Sequence, residues 1–293
     1  MMNIANNWTD YELLEMKNGM KKERWGKYIL VRPDPQIIWD NDNGFGSYDA
    51  IYHRSNKGGG HWEYKHKLDD NWQIKYKDLI FNIKPMSFKH TGLFPEQAVN
   101  WDYMIDKIKN SKRDIKVLNL FAYTGGATVA CLYAGASVCH VDSSKGMVSW
   151  AKENVNSSRL SDRSVRYIVD DVVKFVEREI RRGNKYDAII MDPPSYGRGA
   201  NGEVWNIETD LFKLVKLCTE VLSDDPLFFL INSYTTGLSP KVLENILKIT
   251  IKNKGTVPSG EVGLPLKNSD IILPCGIYGR WEKWKYYMKI IIL

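Results

Sequence analysis

Cysteine is scarce in this chain of 293 residues, which contains only four. They are widely spaced and form neither a CxxC pair nor a Cys/His cluster. This spacing argues against a zinc site and indicates the reduced thiols of a cytoplasmic protein. We therefore expect no metal.

Long apolar runs are also missing. No stretch approaches the ~18 consecutive apolar residues that a membrane-spanning helix needs. The first residues, MMNIANNWTDYELLE, lack the basic start and apolar run of a secretory signal. We therefore expect a cytoplasmic protein with no membrane partner, either a monomer or a homodimer. The net charge of +6 fits a polyanionic partner without requiring one.

The first 88 residues predict a small N-terminal α+β subdomain. Thr9 and Glu12 form a T-x-x-E capping box, which predicts a short helix near 9–19. From 27 to 85, apolar and polar residues alternate between turn residues, a pattern typical of antiparallel strands. Half of the ten tryptophans lie in the first 72 residues. We favour packing of a thin sheet over a base-stacking surface as their role.

The segment 89–293 predicts a second, larger domain. A helix is expected over 95–110, and from residue 116 onward strands and helices alternate. The predicted strands are 116–121, 137–142, 164–169, 186–191, 227–233, 255–262 and 275–287. The predicted helices are 126–134, 144–157, 171–182, 206–222 and 239–252. This order predicts an α/β, Rossmann-like, seven-stranded, mostly parallel sheet beside the N-terminal antiparallel β subdomain.

The stretch VLNLFAYTGGATVACLYAGASVCHVD (117–142) carries the strongest sign of a cofactor. An apolar strand leads into a Thr-Gly-Gly turn, where backbone without a Cβ can approach a ligand closely. A helix and a second strand follow, and Asp142 ends that strand. A carboxylate in this position can accept hydrogen bonds from two ribose hydroxyls. The chain is therefore expected to bind a cofactor that contains a nucleoside.

The segment Asp192-Pro193-Pro194-Ser195-Tyr196 follows the fourth predicted strand. Two prolines after an acid hold the chain extended, so Asp192 and the Pro193 carbonyl can hold a substrate amine. Tyr196 can lie flat against a planar base. The alternative is a rigid loop that only shapes the core. Because parallel strands end at one edge of the sheet, this segment is expected to face the cofactor turn.

Together these motifs resemble a known family. VLNLFAYTGG, VDSSKGMVSWAKENVNSSRL, DDVVKFV and MDPPSYGRG are similar to class I S-adenosylmethionine-dependent methyltransferases. The nearest likeness is to the branch with ribosomal RNA large-subunit methyltransferase I and the K domain of the fused K/L enzyme. KHTGLFPEQAVNW (89–101) resembles its T-G-x-x-x-D-Q segment, with Glu96 at the Asp position. The resemblance covers about 89–284.

The resemblance implies roles for particular residues. S-adenosylmethionine would be held by Phe94, Gln97, Tyr123, Thr124, Gly125, Gly126, Asp142, Ser144, Asp171 and Val172. The methionine part would lie on 123–126, the ribose on Asp142, and the adenine on Asp171 and Val172. The target would be received by Asp192, Pro193, Pro194 and Tyr196. Both Ser144 and Asp171 can instead serve only as helix N-caps. The phosphate backbone of RNA would be gripped by Arg54, Lys57, Lys65 and Lys67.

One departure bears on the reaction. Members that methylate carbon 5 of cytosine use a cysteine just after the fifth core strand, where this chain has Asn232-Ser233-Tyr234. We therefore expect transfer to a nitrogen atom of an RNA base, most simply of ribosomal RNA. The alternatives are a methyltransferase for a small molecule or protein, a nicotinamide-dependent oxidoreductase, and an inactive RNA-binding module. The turn Y-T-G-G in place of G-x-G-x-x-G disfavours the oxidoreductase.

Overall fold

A computed structural model describes residues 2–40, 43–55, 59–198, 202 and 204–284. The strands are β1 (Met2–Ile4), β2 (Tyr11–Lys17), β3 (Met20–Trp25), β4 (Tyr28–Pro33), β5 (Ala50–Arg54), β6 (Gly60–Tyr64), β7 (Trp72–Tyr76), β8 (Leu79–Ile83), β9 (Lys116–Leu120), β10 (Ser137–Asp142), β11 (Val165–Val169), β12 (Ala188–Met191), β13 (Tyr196–Arg198), β14 (Val204–Asn206), β15 (Phe228–Ser233), β16 (Gly255–Thr256), β17 (Ser259–Pro265) and β18 (Ile272–Lys283). The helices are α1 (Ala98–Ser111), preceded by a 3₁₀ turn (Pro95–Gln97), α2 (Gly126–Tyr133), α3 (Lys145–Ser157), α4 (Val172–Arg181), α5 (Ile207–Thr219) and α6 (Pro240–Thr250).

The large sheet has the strand order β1-β17-β18-β15-β12-β9-β10-β11, and β16 pairs with β18. Strands β9, β10, β11, β12 and β15 run parallel, which confirms the predicted α/β core. The described part of this sheet has nine strands rather than the predicted seven. One extra strand is β1, which pairs with β17 and has only three residues, too few for a sequence pattern to reveal. The other arises because the predicted strand 255–262 is divided into β16 and β17. The last residues of the predicted strand 275–287 lie outside the described residues.

Helices cover both faces of the parallel strands. Side chains of α1, α2 and α3 join one apolar cluster, and those of α4, α5 and α6 join a second. Val117 packs in the first cluster and its neighbour Leu118 in the second, as the two-residue period of a strand requires. After β11 the chain crosses back and adds β12 on the other side of β9. The carboxyl ends of β9 and β12 therefore border a topological switch point, where α/β sheets bind ligands.

The predicted helix over 9–19 is wrong, because Tyr11–Lys17 is strand β2 of a five-stranded sheet ordered β2-β3-β4-β5-β6. Asn18 and Gly19 have φ of +53° and +70°, as in a type I′ hairpin turn between β2 and β3. Glu12, expected in a capping box, instead pairs with Arg24 across the two strands at 2.8 Å. The hairpin outweighs the cap because it buries Tyr11 and Leu13.

The sheet of β2 to β6 and the β7–β8 hairpin confirm the expected N-terminal β region, although β4 and β5 pair in parallel. Trp25 and Trp72 are buried, which agrees with the packing role. Trp8 contacts the rings of Tyr76 and Trp101, and thereby connects this region to α1. A domain boundary at residue 88 stays a prediction, since β1 belongs to the large sheet.

Candidate functional site

A cavity lies at the switch point, beyond the carboxyl ends of β9, β12 and β15. Its lining includes loop residues after β9 and β12, two residues of β15 itself, and Gln97 of the turn that precedes α1. Six residues predicted from the sequence meet there: Phe94, Gln97, Tyr123, Thr124, Gly126 and Asp192. Asn232, the next-to-last residue of β15, also lines the cavity, and β15 pairs with β12, the strand that Asp192 follows. The fold therefore brings the two strongest sequence motifs to one place.

Asp142 holds the loop after β9 in place. Its Oδ2 accepts a hydrogen bond from the Tyr123 N–H at 2.8 Å, and its Oδ1 accepts one from the Ser144 N–H at 2.8 Å. Burial raises the pKa of Asp142, and these two N–H groups oppose the rise. Each carboxylate oxygen retains a lone pair, so the group can still accept ribose hydroxyls. The Ser144 hydroxyl caps α3 by accepting from the Met147 N–H.

Packing accounts for both glycines of the turn. Gly125 has φ of +81°, and a Cβ there would lie 2.8 Å from the Ala151 Cβ. A Cβ on Gly126 would lie 2.9 Å from the Trp101 ring. The Thr124 hydroxyl donates to the Gly92 carbonyl, and the Thr124 carbonyl accepts from the Asn154 Nδ2. These two hydrogen bonds hold the backbone of the turn in place, while Gly126 and Thr124 still line the cavity.

Asp192 is the acid that faces this cavity. Its Oδ1 accepts a hydrogen bond from the Asn232 Nδ2 at 3.0 Å. Burial raises the pKa of Asp192 to about 7, while the Asn232 donor lowers it and the nearby Glu96 raises it further. The Asn232 Oδ1 is buried and accepts no hydrogen bond from any residue that the structure describes. A ligand with an N–H or O–H group would satisfy it.

The residues of the DPPSY segment after Asp192 do not line the cavity. Pro193 is buried, and the exposed Pro194 accepts a hydrogen bond from the Trp205 Nε1 through its carbonyl at 2.6 Å. Tyr196 begins β13, which pairs with β14, and its side chain is 54% exposed. Extended backbone begins at Tyr196 in β13, while the extended shape expected of the two prolines stays a prediction. An exposed ring on a hairpin can stack on a planar ligand.

Aromatic rings cluster around Phe94, which lines the cavity. Phe94 lies 5.6 Å from the Tyr123 ring and 5.1 Å from the Tyr234 ring, measured between centroids. The Gln97 Nε2 donates to the Tyr234 hydroxyl at 2.8 Å. Neither Tyr234 nor Asn232 was among the predicted site residues. Their position directly at the end of the fifth parallel strand was the signal that could have identified them.

Asp171 and Val172 lie beside the site rather than inside the cavity. The Asp170 N–H donates to the Asp142 carbonyl, so the two strand ends adjoin. Asp171 is the N-cap of α4, where it accepts a hydrogen bond from the Lys174 N–H at 3.0 Å. This is the structural role that the sequence analysis gave as the alternative to cofactor binding. The side chain of Val172 is buried in the core. Asp171 lines a separate groove with Trp205. The contact of Asp171 and Val172 with a cofactor stays a prediction.

The predicted basic residues are only partly described. Arg54 and Lys67 are exposed, and Lys65 pairs with Glu63 at 2.5 Å, while Lys57 lies outside the described residues. Within the described ranges, no three His, Cys, Asp or Glu side chains group as a metal site would require. Nor does any described helix have the length and apolarity to cross a bilayer. All four cysteines are unpaired thiols.

An open parallel sheet, a glycine turn after its first strand, an acid after the second and DPPSY after the fourth define a nucleotide-cofactor enzyme of the methyltransferase type. The sequence model of the S-adenosylmethionine-dependent methyltransferases matches residues 40–245. The chain belongs to this family and is an enzyme that uses S-adenosylmethionine. The resemblance noted in the sequence is thereby confirmed, and the oxidoreductase alternative is wrong.

Three relatives illustrate the similarity. The S-adenosylmethionine-dependent methyltransferase from Agrobacterium tumefaciens is 34% identical, covers 97% of this chain and 94% of its own, and superposes with a TM-score of 0.92. The ribosomal RNA large-subunit methyltransferase K/L of Syntrophotalea carbinolica is 27% identical over 68% of this chain. Methyltransferase K of Neisseria meningitidis is 26% identical over 69%. The matches span only 28% and 56% of those two proteins.

Proposed function

We propose that this enzyme methylates a nitrogen atom of a base in ribosomal RNA, and that it does so in the cytoplasm. The observation that carries the proposal is the pair formed by Asp192 and Asn232 inside the cavity at the switch point. One carboxylate and one unpartnered amide oxygen present two acceptors to an amine. The names of the two curated relatives support the choice of ribosomal RNA.

S-adenosylmethionine supplies an electrophilic methyl group on a sulfonium. Asp142 would hold the ribose, because its carboxylate keeps acceptor capacity at the end of β10. Tyr123, Thr124, Gly125 and Gly126 would lie along the methionine part, and Phe94 and Gln97 would cover it. Asp171 and Val172, next to Asp142, would contact the adenine. Ser144 would take part through its backbone, since its hydroxyl caps α3.

The chemistry of nitrogen transfer fits the residues at the strand ends. Asp192 and the Pro193 carbonyl would orient the amine, and the Asn232 Oδ1 would accept a second N–H. Tyr196 would stack on the base, and Pro194 would keep the segment extended. The nitrogen lone pair would attack the methyl carbon as the bond from that carbon to the sulfonium sulfur breaks, leaving S-adenosylhomocysteine, and Asp192 in its ionised form would accept the proton that the nitrogen loses. This is catalysis by positioning and by a general base.

Carbon-5 methylation of cytosine requires a nucleophilic thiolate. The loop directly after β15, residues 234–239, contains no cysteine. Cys275 lies in β18, and burial raises the pKa of its thiol well above the ordinary range, so it is not activated. Its Sγ donates instead to the Leu273 carbonyl. These features favour nitrogen over carbon as the target.

The N-terminal residues 1–88 would recognise the RNA, and 89–293 would carry out the transfer. Arg54, Lys57, Lys65 and Lys67 are the proposed phosphate contacts of the N-terminal region. A base edge must be unstacked before it can enter the cavity, so the target nucleotide would be single-stranded or flipped out. Monomer and homodimer are both compatible with this scheme.

The direct test is mass spectrometry of ribosomal RNA nucleosides from a deletion strain and its parent. One N-methylated nucleoside should be missing from the deletion strain and should return when purified enzyme and S-adenosylmethionine are added to its RNA. Loss of 5-methylcytidine instead would reject the nitrogen target. Unchanged nucleosides, with methyl transfer detected only to a small molecule or protein, would reject the RNA substrate.

Replacing Asp192 tests the catalytic assignment. Asp192→Ala should lower kcat by at least about 100-fold, because the orienting acceptor and general base are both lost. The dissociation constant for S-adenosylhomocysteine, measured by calorimetry, should change less than about threefold, since Asp142 is untouched. An unchanged kcat would contradict the role of Asp192.

A further inference from the structure

A second cavity of about 290 Å³ adjoins the candidate site on the far side of Phe94. Leu93 and Phe94 line both cavities, so a substrate that reaches Asp192 passes close to the second. Its walls come from β3, from β4 and the turn after it, from the segment before α1, and from Tyr234 and Thr236 after β15. It therefore lies where the N-terminal sheet meets the catalytic region.

Cationic side chains converge on this cavity. Lys21, Arg32 and Lys89 line it, and Arg54 is near enough for its charge to lower the pKa of Lys89. Two of these cations are neutralised locally. Arg32 pairs with the buried Glu23 at 2.6 Å, and Lys21 lies 3.2 Å from Asp34 and 3.6 Å from Glu23.

Lys89 differs from the other two. Its Nζ donates to the Pro33 carbonyl at 3.3 Å, and no carboxylate of the described residues forms an ion pair with it. It is partly buried, and its own carbonyl accepts from the Arg32 Nη1. Burial, Lys21, Arg32 and Arg54 lower the pKa of Lys89 to about 8, although Asp34 opposes this. A partly buried ammonium group among like charges is unfavourable unless an anion pairs with it. Lys89 has no such anion among the described residues.

Two carboxylates also line the cavity. Asp34 is engaged with Lys21, as described above. Burial raises the pKa of Glu96, which favours its uncharged form and reduces its repulsion of an anion. The same surroundings lower the pKa of His90 to about 3, mainly through burial and then through Arg32, Lys89 and Lys21. The cavity thus has an excess of positive charge around Lys89.

We propose that this cavity is an anion subsite, in which Lys89, supported by Lys21, Arg32 and Arg54, holds a phosphate of the substrate while its base reaches Asp192. The inference rests on the proposed function for the identity of that phosphate as part of an RNA chain. A phosphate replaces the missing counter-charge of Lys89 and is bound most strongly where several cations face a partly desolvated cavity. Phe94 then separates the phosphate from the reacting base.

The first experiment does not depend on RNA. Crystals of the full chain soaked in sodium tungstate should show anomalous density within hydrogen-bond distance of the Lys89 Nζ, and crystals of Lys89→Met should lack it. Absence of density from the cavity in the unaltered protein would overturn the proposal. Should RNA methylation fail while tungstate binds and Lys89→Met abolishes that binding, the subsite stands and the RNA assignment falls.

The second experiment measures methyl transfer to ribosomal RNA from the deletion strain. Lys89→Met should raise KM about tenfold with kcat within about twofold. The slope of the logarithm of the RNA-binding constant against the logarithm of salt concentration should become shallower by about 1, which corresponds to the loss of one phosphate contact. Lys89→Arg should retain most of the affinity. Lys75→Met, an exposed lysine of β7, is the matched control and should resemble the unaltered enzyme. Tungstate density with an unchanged KM would mean an adventitious ion only and would reject the subsite.

Discussion

The behaviour of single residues in the site depends on how burial and hydrogen bonding oppose each other. Asp192 is the clearest case. Burial raises the pKa of Asp192 to about 7, and the hydrogen bond from Asn232 limits this rise. The acceptor form of Asp192 is the carboxylate. An enzyme that uses this form loses activity as the pH falls through about 7, where the carboxylate becomes protonated.

A change at Asn232 should move that pH dependence. In Asn232→Leu the Nδ2 donor is absent, so the pKa of Asp192 should rise and the acidic limb of kcat/KM should shift to higher pH by about half a unit or more. Profiles of kcat/KM against pH for both enzymes measure the shift. A limb that stays in place, or that persists in any residual activity of Asp192→Ala, would show that another group titrates.

At the scale of elements, competing local signals decide the N-terminal structure. The capping box at Thr9 predicted a helix, whereas the Asn18-Gly19 pair predicts a hairpin. The hairpin prevails because it pairs two amphipathic strands and buries one face of each. A cap stabilises a helix by only about 1 kcal/mol and cannot offset the loss of that burial.

The glycines of the cofactor turn give a test at the same scale. Gly126→Ala should lower the free energy of unfolding by about 1–3 kcal/mol, because its Cβ would lie 2.9 Å from the Trp101 ring. Gly146→Ala, in the exposed part of α3 with only the Ser144 Oγ nearby at 3.9 Å, should instead be stabilising by about 0.5–1 kcal/mol. Guanidinium unfolding of both variants measures the contrast. Equal effects at the two sites would contradict the packing explanation.

At the scale of the whole molecule, a buried charge network stabilises the N-terminal sheet beside the catalytic region. Glu23 is fully buried, accepts from Arg32 through both oxygens, and accepts from the Tyr11 hydroxyl at 2.8 Å. Despite burial, Arg32 and Lys21 lower the pKa of Glu23 to about 2. Its stabilising effect is therefore complete above about pH 4.5 and is lost as the pH falls toward 2.

Breaking this network should be costly. Glu23→Leu should lower the free energy of unfolding by about 3–5 kcal/mol, because the buried Arg32 loses its carboxylate partner. The double change Glu23→Leu with Arg32→Met should recover most of that loss. Glu15→Leu on β2, whose ion pairs are more exposed, should cost at most about 1 kcal/mol. Urea unfolding compares the three, and a double variant as unstable as the single one would contradict the explanation.

The sequence predicted the parallel core well, because its signals are local. Strands β9, β10, β11 and β15 are each followed by a loop and a helix, and Ser144 and Asp171 cap two of these helices. The positions of Asp142 and Asp192 at strand ends follow from that alternation alone. Strand β1 depends on which strands become neighbours, and no local pattern contains that information. Asn232 and Tyr234 could be located at the end of the fifth strand from the sequence, but the hydrogen bond from Asn232 to Asp192 depends on the pairing of β12 with β15.

The sequence by itself determined the family chemistry: a glycine turn, an acid for the ribose and a rigid DPPSY segment, all set by short-range spacing along successive strands. Only the tertiary structure decided that Asn232 supports Asp192, that both glycines are required by packing, and that Lys89 lies among other cations with no ion-pair partner in the described part of the chain. The physical reason is that desolvation and charge compensation depend on distance in space. Residues far apart in the chain, such as Lys21 and Lys89, acquire these properties only once the sheets have packed together.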